Sequence, residues 1–502
     1  MKNNRIIKTI INNYQSDKKK IIFFDRFRKI SWSDLINLSI KNSKILSKID
    51  QKYIPIIVDR DVKTVIAICS VLFAGKVFCP ISNQLPIKKI NIILNKLNAR
   101  YLINCSNKEI YSKKVIRFIY YSKQEDIKKI NKFIISNMKL KNINESLYVL
   151  FTSGSTGEPK GVILSYENIL NTLIWSKSYI KWNSKDIIGI ATSFSFDISI
   201  FDLFSGLFFN VPMYILQNPS NAPSSLQEII NNKISSVFAV PSFFSNFVRY
   251  NSLNKKITSL KQILSGGDFF PHKDILTWKK YQQHIEIYNV WGPTETSIVN
   301  SMYKIKLKDI IKIQNNESLP VGKSHLRMQI LILNNKKQIV DRNNVKGEIA
   351  MVGKSVSKGY IGHNDDKKGY ITIKNKKSFL TGDIGYFDKN NYLHIVGRKD
   401  NTIKISGYRI DAKEIENYTN QIKHIEDSYA FSTQLFDNYN FLCLCIISNY
   451  NIKIEIIKRQ LRKFLPEYSI PKYIFCLKKF PLNINGKIDR NNLQKKILRA
   501  FN

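Results

Sequence analysis

Residues 147 to 164 read Leu147-Tyr-Val-Leu-Phe-Thr-Ser-Gly-Ser-Thr-Gly-Glu-Pro-Lys-Gly-Val-Ile-Leu, two short apolar runs around a loop of small and hydroxylated residues. Each run has the length and composition of a buried strand. Between them, backbone N–H groups at this density of glycine, serine and threonine can wrap a phosphate, and Lys160 adds a positive charge. The loop is not a Walker A motif. In Gly154-x-x-x-x-Pro159-Lys160-Gly161 the second glycine is missing, no Ser or Thr follows the lysine, and a strand rather than a helix comes next. A plain surface turn is the competing reading, disfavoured by ten such residues between two strands. Phosphate-binding candidates are therefore Thr152, Ser153, Gly154, Ser155, Thr156, Gly157 and Lys160.

Outward from this loop, helix and strand alternate. Leu35, Leu38, Ile45, Leu46 and Ile49 recur at helical spacing after Ser33, a good N-cap, and Tyr53-Ile-Pro-Ile-Ile-Val reads as a buried strand. An apolar run over Val65 to Phe73, a strand at Tyr101 and a helix from about Glu167 to Tyr179 continue the order, which predicts α/β layers with mostly parallel sheets. After about residue 318, short strands and turns such as Met328 to Leu333 and Gly347-Glu-Ile-Ala-Met-Val-Gly predict a smaller β-rich subdomain. The last hundred residues read as another compact unit, with a strand over Phe441 to Ile447 and a helix near Ile452 to Phe464 that Pro466 ends.

A chain of 502 residues with 43% hydrophobic content is long enough for more than one core. Its 79 Lys and Arg against 38 Asp and Glu give a formal charge of +41, which would suit nucleic acid or an anionic membrane. Yet the cations are mostly lysines spread beside abundant Ile and Asn, the pattern of an AT-rich genome, and no basic block or nucleic-acid motif occurs, so no nucleic-acid partner is expected. Cys69, Cys79, Cys105, Cys443, Cys445 and Cys476 make no CxxC pair, and the histidines have no metal-ligand spacing. The apolar stretch Val65 to Ile81 is interrupted by Lys76 and Pro80, and the N-terminus lacks the apolar core of a signal peptide. A cytoplasmic protein without a membrane span is expected.

Three further blocks accompany the loop: Asn289-Val-Trp-Gly-Pro-Thr-Glu-Thr, then Thr381-Gly-Asp-Ile-Gly-Tyr with Val396-Gly-Arg-Lys-Asp, and Asn485-Gly-Lys-Ile-Asp-Arg. Together they resemble the adenylate-forming superfamily, which contains acyl-CoA synthetases, luciferases and the adenylation domains of nonribosomal peptide synthetases. The resemblance implies an α/β fold with a large AMP-binding N-terminal domain (residues 1–399) and a small mobile α+β lid (400–502). It implies ATP and Mg²⁺ as cofactors, with Glu295 holding the metal, Thr294 touching the α-phosphate, Trp291 offering a face to adenine, and Asp383 and Arg398 at the ribose. Lys487 would reach the acyl carboxylate and the α-phosphate, Asp400 would be the hinge, and Gly407 would let a pantetheine arm pass.

Phe194-Ser-Phe-Asp-Ile-Ser narrows the resemblance to the amino-acid-activating branch, in which an aspartate at the place of Asp197 pairs with the substrate's α-ammonium. The pocket carried over is Asp197, Ile198, Phe201, Val237, Leu264, Gly266, Val290, Ile298, Val299 and Lys487. Between the two charges its lining is apolar, which implies an uncharged, apolar amino acid, branched-chain ones fitting best. Length, Leu319-Pro-Val-Gly and Ser355-Val-Ser-Lys-Gly-Tyr are similar to stand-alone D-alanine:carrier-protein ligases, but Gly266 replaces a larger residue there and implies a bulkier substrate. A separate carrier protein would supply the phosphopantetheine thiol. An acyl-CoA synthetase and an inactive basic binding protein remain as alternatives.

Overall fold

Ser31 ends a strand and starts a helix in one step. Its hydroxyl accepts the backbone N–H of Asp34, whose carboxylate takes the Ser31 N–H at 2.9 Å, a capping box that opens the helix Trp32–Ser47. The cap expected at Ser33 thus lies two residues earlier, because Asp34 stands where the reciprocal bond needs it. The computed structural model describes residues 5–110, 112–120, 145–152, 159–306, 309, 319–324, 328–362, 369–399, 402–405, 407–434, 440–450, 452–481 and 490–499. The chain forms two compact units. One comprises Met1–Asn83, Leu94–Phe151 and Lys160–Lys399; the other comprises Gln84–Ile93, Thr152–Pro159 and Asp400–Asn502.

In the larger unit an eight-stranded sheet carries a parallel centre, in which Gln262–Gly266 lies between Ser236–Ala239 and Glu286–Trp291, and antiparallel edge pairs. A seven-stranded sheet contains both strands that flank the phosphate loop, Ser146–Thr152 and Lys160–Ser165, with Val77–Ser82 and Tyr53–Val58 paired in parallel beyond them. The helix Asp197–Phe209 is buried at every position from Ile198 to Leu207, which is why its sequence is apolar all round rather than on one stripe. Phe204 on this helix faces Phe78, which stacks on Tyr148 with ring centroids 5.4 Å apart. The expected β-rich part is a five-stranded sheet that includes Met328–Leu333, Gly347–Gly353, Lys376–Phe387 and Leu393–Arg398.

The smaller unit has a three-stranded sheet of Asp427–Gln434, Asn440–Ile447 and Tyr473–Leu477, the first pair antiparallel and the second parallel. Ile415, Leu444, Ile457 and Leu461 are in its core. Gly407 has φ +79° in the turn joining Thr402–Ile405 to Tyr408–Asp411, so its freedom serves a tight hairpin turn. Asp400 lies outside the described residues. The fold class is as expected: layered α/β sheets, a β-rich part and an α+β C-terminal part.

Candidate active site

After the strand Glu286–Trp291 the chain turns sharply at Gly292, where a Cβ would lie 2.4 Å from the Ile298 carbonyl oxygen. The return is made by Ser297 and Ile298, both at positive φ (70° and 75°), a costly conformation for a β-branched residue. Thr172 secures it by donating its hydroxyl to the Ser297 carbonyl at 2.9 Å, and the Asn300 N–H closes the loop on the Trp291 carbonyl at 2.9 Å. This loop presents Thr294 and Glu295 from a short 3₁₀ turn.

Thr294 donates its hydroxyl to Asp197 Oδ2 at 2.6 Å, although 97 residues separate them. Asp197 is the first residue of its helix, where an acid is favourable toward the exposed N–H groups. Burial nevertheless pushes its carboxyl above the ordinary range; the hydrogen bonds from Thr294 and the Ile198 backbone oppose that, and the charge of Glu295 adds to it. The selector and the residue expected at the α-phosphate are therefore in direct contact. On the expectation that Asp197 pairs with a substrate ammonium, only its ionised form attracts that group, so such affinity is full above this raised pKa and is lost as the pH falls through it. In a pH series, kcat/KM for the amino acid falls at a pH above the ~3.9 of a free aspartate, whereas Asp197→Asn removes that limb of the profile.

Glu295 is 2% exposed and accepts the Tyr360 hydroxyl at 3.0 Å. Among the described residues no group of three or more His, Cys, Asp or Glu could enclose a metal. Mg²⁺ keeps waters and substrate phosphates and needs only one or two carboxylates. Glu295 fits this donor set, and Mg²⁺ bound there would supply charge neutralisation at the phosphates. Lys160 opens the strand after the loop, is buried, and holds its ammonium 5.7 Å from the centre of the Tyr360 ring. Thr152 ends the preceding strand, half-buried. Ser153, Gly154, Ser155, Thr156, Gly157 and Lys487 lie outside the described residues.

Asp383 and Arg398 are opposite each other in an antiparallel pair of strands, with Arg398 Nη1 2.5 Å from Asp383 Oδ1. The other carboxylate oxygen accepts the Trp291 indole N–H at 3.1 Å. Each oxygen keeps a lone pair, enough for the two vicinal hydroxyls of a ribose. The Trp291 ring packs with Val321, Ile330 and Met351 in the core of the β-rich sheet, and its N–H steadies Asp383. Gly382, at φ +72°, sets the kink that turns Asp383, and its carbonyl accepts the Lys399 N–H at 2.8 Å. Gly382→Val should cost about 1–2 kcal/mol from the left-handed backbone alone and raise KM for ATP; a variant with unchanged urea midpoint and KM would contradict this.

Of the pocket residues, Phe201, Leu264, Val290, Ile298, Val299 and Ile198 belong to one core. Val237 does not. Strand side chains alternate faces, and Val237 packs with Ile263 and Ile287 on the far side of the sheet. Its neighbour Phe238 is paired with Leu264 and meets Phe201 edge-on at 5.6 Å, so the pocket wall shifts by one residue. The space beside Gly266 is also smaller than expected: a Cβ would lie 2.9 Å from the Val290 carbonyl oxygen and 3.3 Å from the Phe238 ring. Phe238 and Tyr360 were not expected at the site. Tyr360 lies in a stretch that was already singled out, but its partner is 65 residues away and no local spacing announces it.

The sequence profile of the AMP-binding enzymes matches residues 10–361, more than half of the chain. The chain belongs to that family. This agrees with the AMP-binding reading of the sequence. The D-alanine–D-alanyl carrier protein ligase of Bacillus licheniformis is 26% identical over 514 residues, covering 98% of this AMP-binding enzyme and 99% of the ligase. Bacitracin synthase 3 of Bacillus licheniformis is 26% identical over 454 residues, and gramicidin S synthase 2 of Aneurinibacillus migulanus is 26% identical over 449. The chain spans only 7% and 10% of the length of those two synthases. In fold, the Vibrio cholerae adenylation domain AlmE, solved with glycyl-adenosine-5′-phosphate, aligns with TM-score 0.87 and 18% identity over 99% of this chain and 98% of its own. Among the described residues no helix is long and apolar enough to cross a membrane.

Proposed function

We propose that the enzyme adenylates an apolar amino acid with MgATP and passes the aminoacyl group to the phosphopantetheine thiol of a separate carrier protein. The observation that carries this is the contact of Asp197 with Thr294: a carboxylate held beside apolar residues, where burial makes an unpaired charge costly, fits an ammonium. In the adenylation step a carboxylate oxygen of the amino acid attacks the α-phosphorus of ATP and the bond to the β-phosphate oxygen breaks, releasing pyrophosphate. Asp197 orients the ammonium, Thr294 faces the α-phosphate, Glu295 fits Mg²⁺, and Asp383 with Arg398 and Trp291 holds the ribose. Lys487 supplies the cation between the acyl carboxylate and the phosphate. In the second step the thiol sulfur attacks the mixed anhydride and AMP leaves. We also assign residues 1–399 as the AMP-binding domain and 400–502 as a lid that pivots at Asp400, with Gly407 on the thiol's path.

A second reading, D-alanine ligation to a carrier protein, is favoured by the end-to-end match to the Bacillus licheniformis ligase. Mass spectrometry of the enzyme with ATP and pooled amino acids should detect one aminoacyl-adenylate, and a thioester on added carrier protein. A fatty acyl-adenylate, or a thioester formed only on free coenzyme A, would overturn the reading.

A further inference from the structure

The Tyr360 hydroxyl donates to Glu295 Oε1 at 3.0 Å inside the protein, where Glu295 is 2% and Tyr360 7% exposed. The same phenol ring faces the Lys160 ammonium at 5.7 Å. One side chain thus faces both the carboxylate that fits the metal and the cation that opens the strand after the phosphate loop. Its own position is fixed. The ring meets Tyr370 at 5.4 Å, the Tyr370 hydroxyl is hydrogen-bonded to Ser357 Oγ at 2.5 Å, and the Ser357 N–H donates to the Glu295 carbonyl at 2.8 Å. Tyr360 itself pairs with Val162 on the strand that begins at Lys160.

The geometry points to Tyr360 as a positioning residue for metal binding: its hydroxyl fixes the orientation of the Glu295 carboxylate, and its ring keeps Lys160 beside it. This rests on Glu295 as the Mg²⁺ ligand. A carboxylate on a short turn can rotate about its last torsion, and a hydrogen bond to one oxygen biases which lone pairs face the metal. Hydrogen bonds behind a metal ligand are worth about 10- to 100-fold in metal affinity. The phenol donates only one proton, so its bond to Glu295 Oε1 aims the carboxylate while the ring face is turned to the Lys160 ammonium.

The test measures Mn²⁺ binding to the full-length enzyme with ATP by electron paramagnetic resonance, a readout independent of turnover. Tyr360→Phe keeps the ring, its contact with Tyr370 and the cation–π contact, and removes only the hydroxyl. Mn²⁺ affinity should fall about tenfold while KM for the amino acid stays unchanged, and Tyr370→Phe, which spares the Tyr360 hydroxyl, should bind Mn²⁺ as the wild type does. In a Glu295→Gln background the Tyr360 substitution should have no further effect. Unchanged Mn²⁺ affinity in Tyr360→Phe, an equal loss in Tyr370→Phe, or additive losses in the double variant would overturn the proposal. If Glu295→Gln alone leaves Mn²⁺ binding intact, the assignment of the metal ligand fails instead. Should Tyr360→Phe fold poorly, the coupling is read from Tyr360→His, which keeps a donor, beside Tyr360→Leu, which has none: higher Mn²⁺ affinity with His than with Leu supports the proposal, and equal affinities refute it.

Discussion

Asp197→Ala lowers kcat/KM for the preferred amino acid by about two to three orders of magnitude, while the corresponding acid without its amino group is affected little. Truncating one partner of a buried, hydrogen-bonded charge pair costs about 2–5 kcal/mol, much of it the penalty of leaving the other charge unpaired. Here the unpaired charge is the substrate's ammonium. The variant loses a second interaction too, because the Thr294 hydroxyl that donated to Asp197 at 2.6 Å is released. Comparing both substrates with wild type and variant checks this: equal losses for the amino acid and its deamino analogue would remove Asp197 from the ammonium site.

Lys487→Ala lowers the adenylation rate by a similar factor, about 10²- to 10³-fold, while ATP affinity changes little. A cation aimed at charge that develops as the carboxylate approaches the phosphate acts on the transition state far more than on bound ATP. Rapid-quench measurement of adenylate formation, paired with calorimetric ATP binding, separates the two effects. A parallel loss of ATP affinity would make Lys487 a nucleotide-binding residue; an unaltered rate would dismiss it.

The elements that local sequence specifies were legible. The strand Tyr53–Val58 and the helix around residues 166 to 176 follow from apolar runs and helical spacing, because their partners repeat within a few residues. The site was legible in types of residue rather than in arrangement. Asp383 and Arg398 stood in recognisable blocks, but their pairing arises from strand register, and the indole N–H of Trp291 reaches Asp383 from 92 residues away. Val237 shows the limit most plainly. A strand alternates its faces with period two, so choosing it over Phe238 moved the wall of the pocket to the other side of the sheet. Gly266 shows another limit: a missing side chain leaves room only if neighbours do not take it, and here the Val290 backbone and the Phe238 ring stand close to that space.

The measurement closest to the central claim is substrate-dependent exchange of labelled pyrophosphate into ATP. It is run across the standard amino acids, both alanine enantiomers and several fatty acids, with the Asp197→Ala variant beside the wild type. The account predicts exchange driven by one or a few small or branched apolar amino acids, abolished in the variant. Silence with every amino acid, together with exchange driven by a fatty acid that the variant supports equally well, would contradict it.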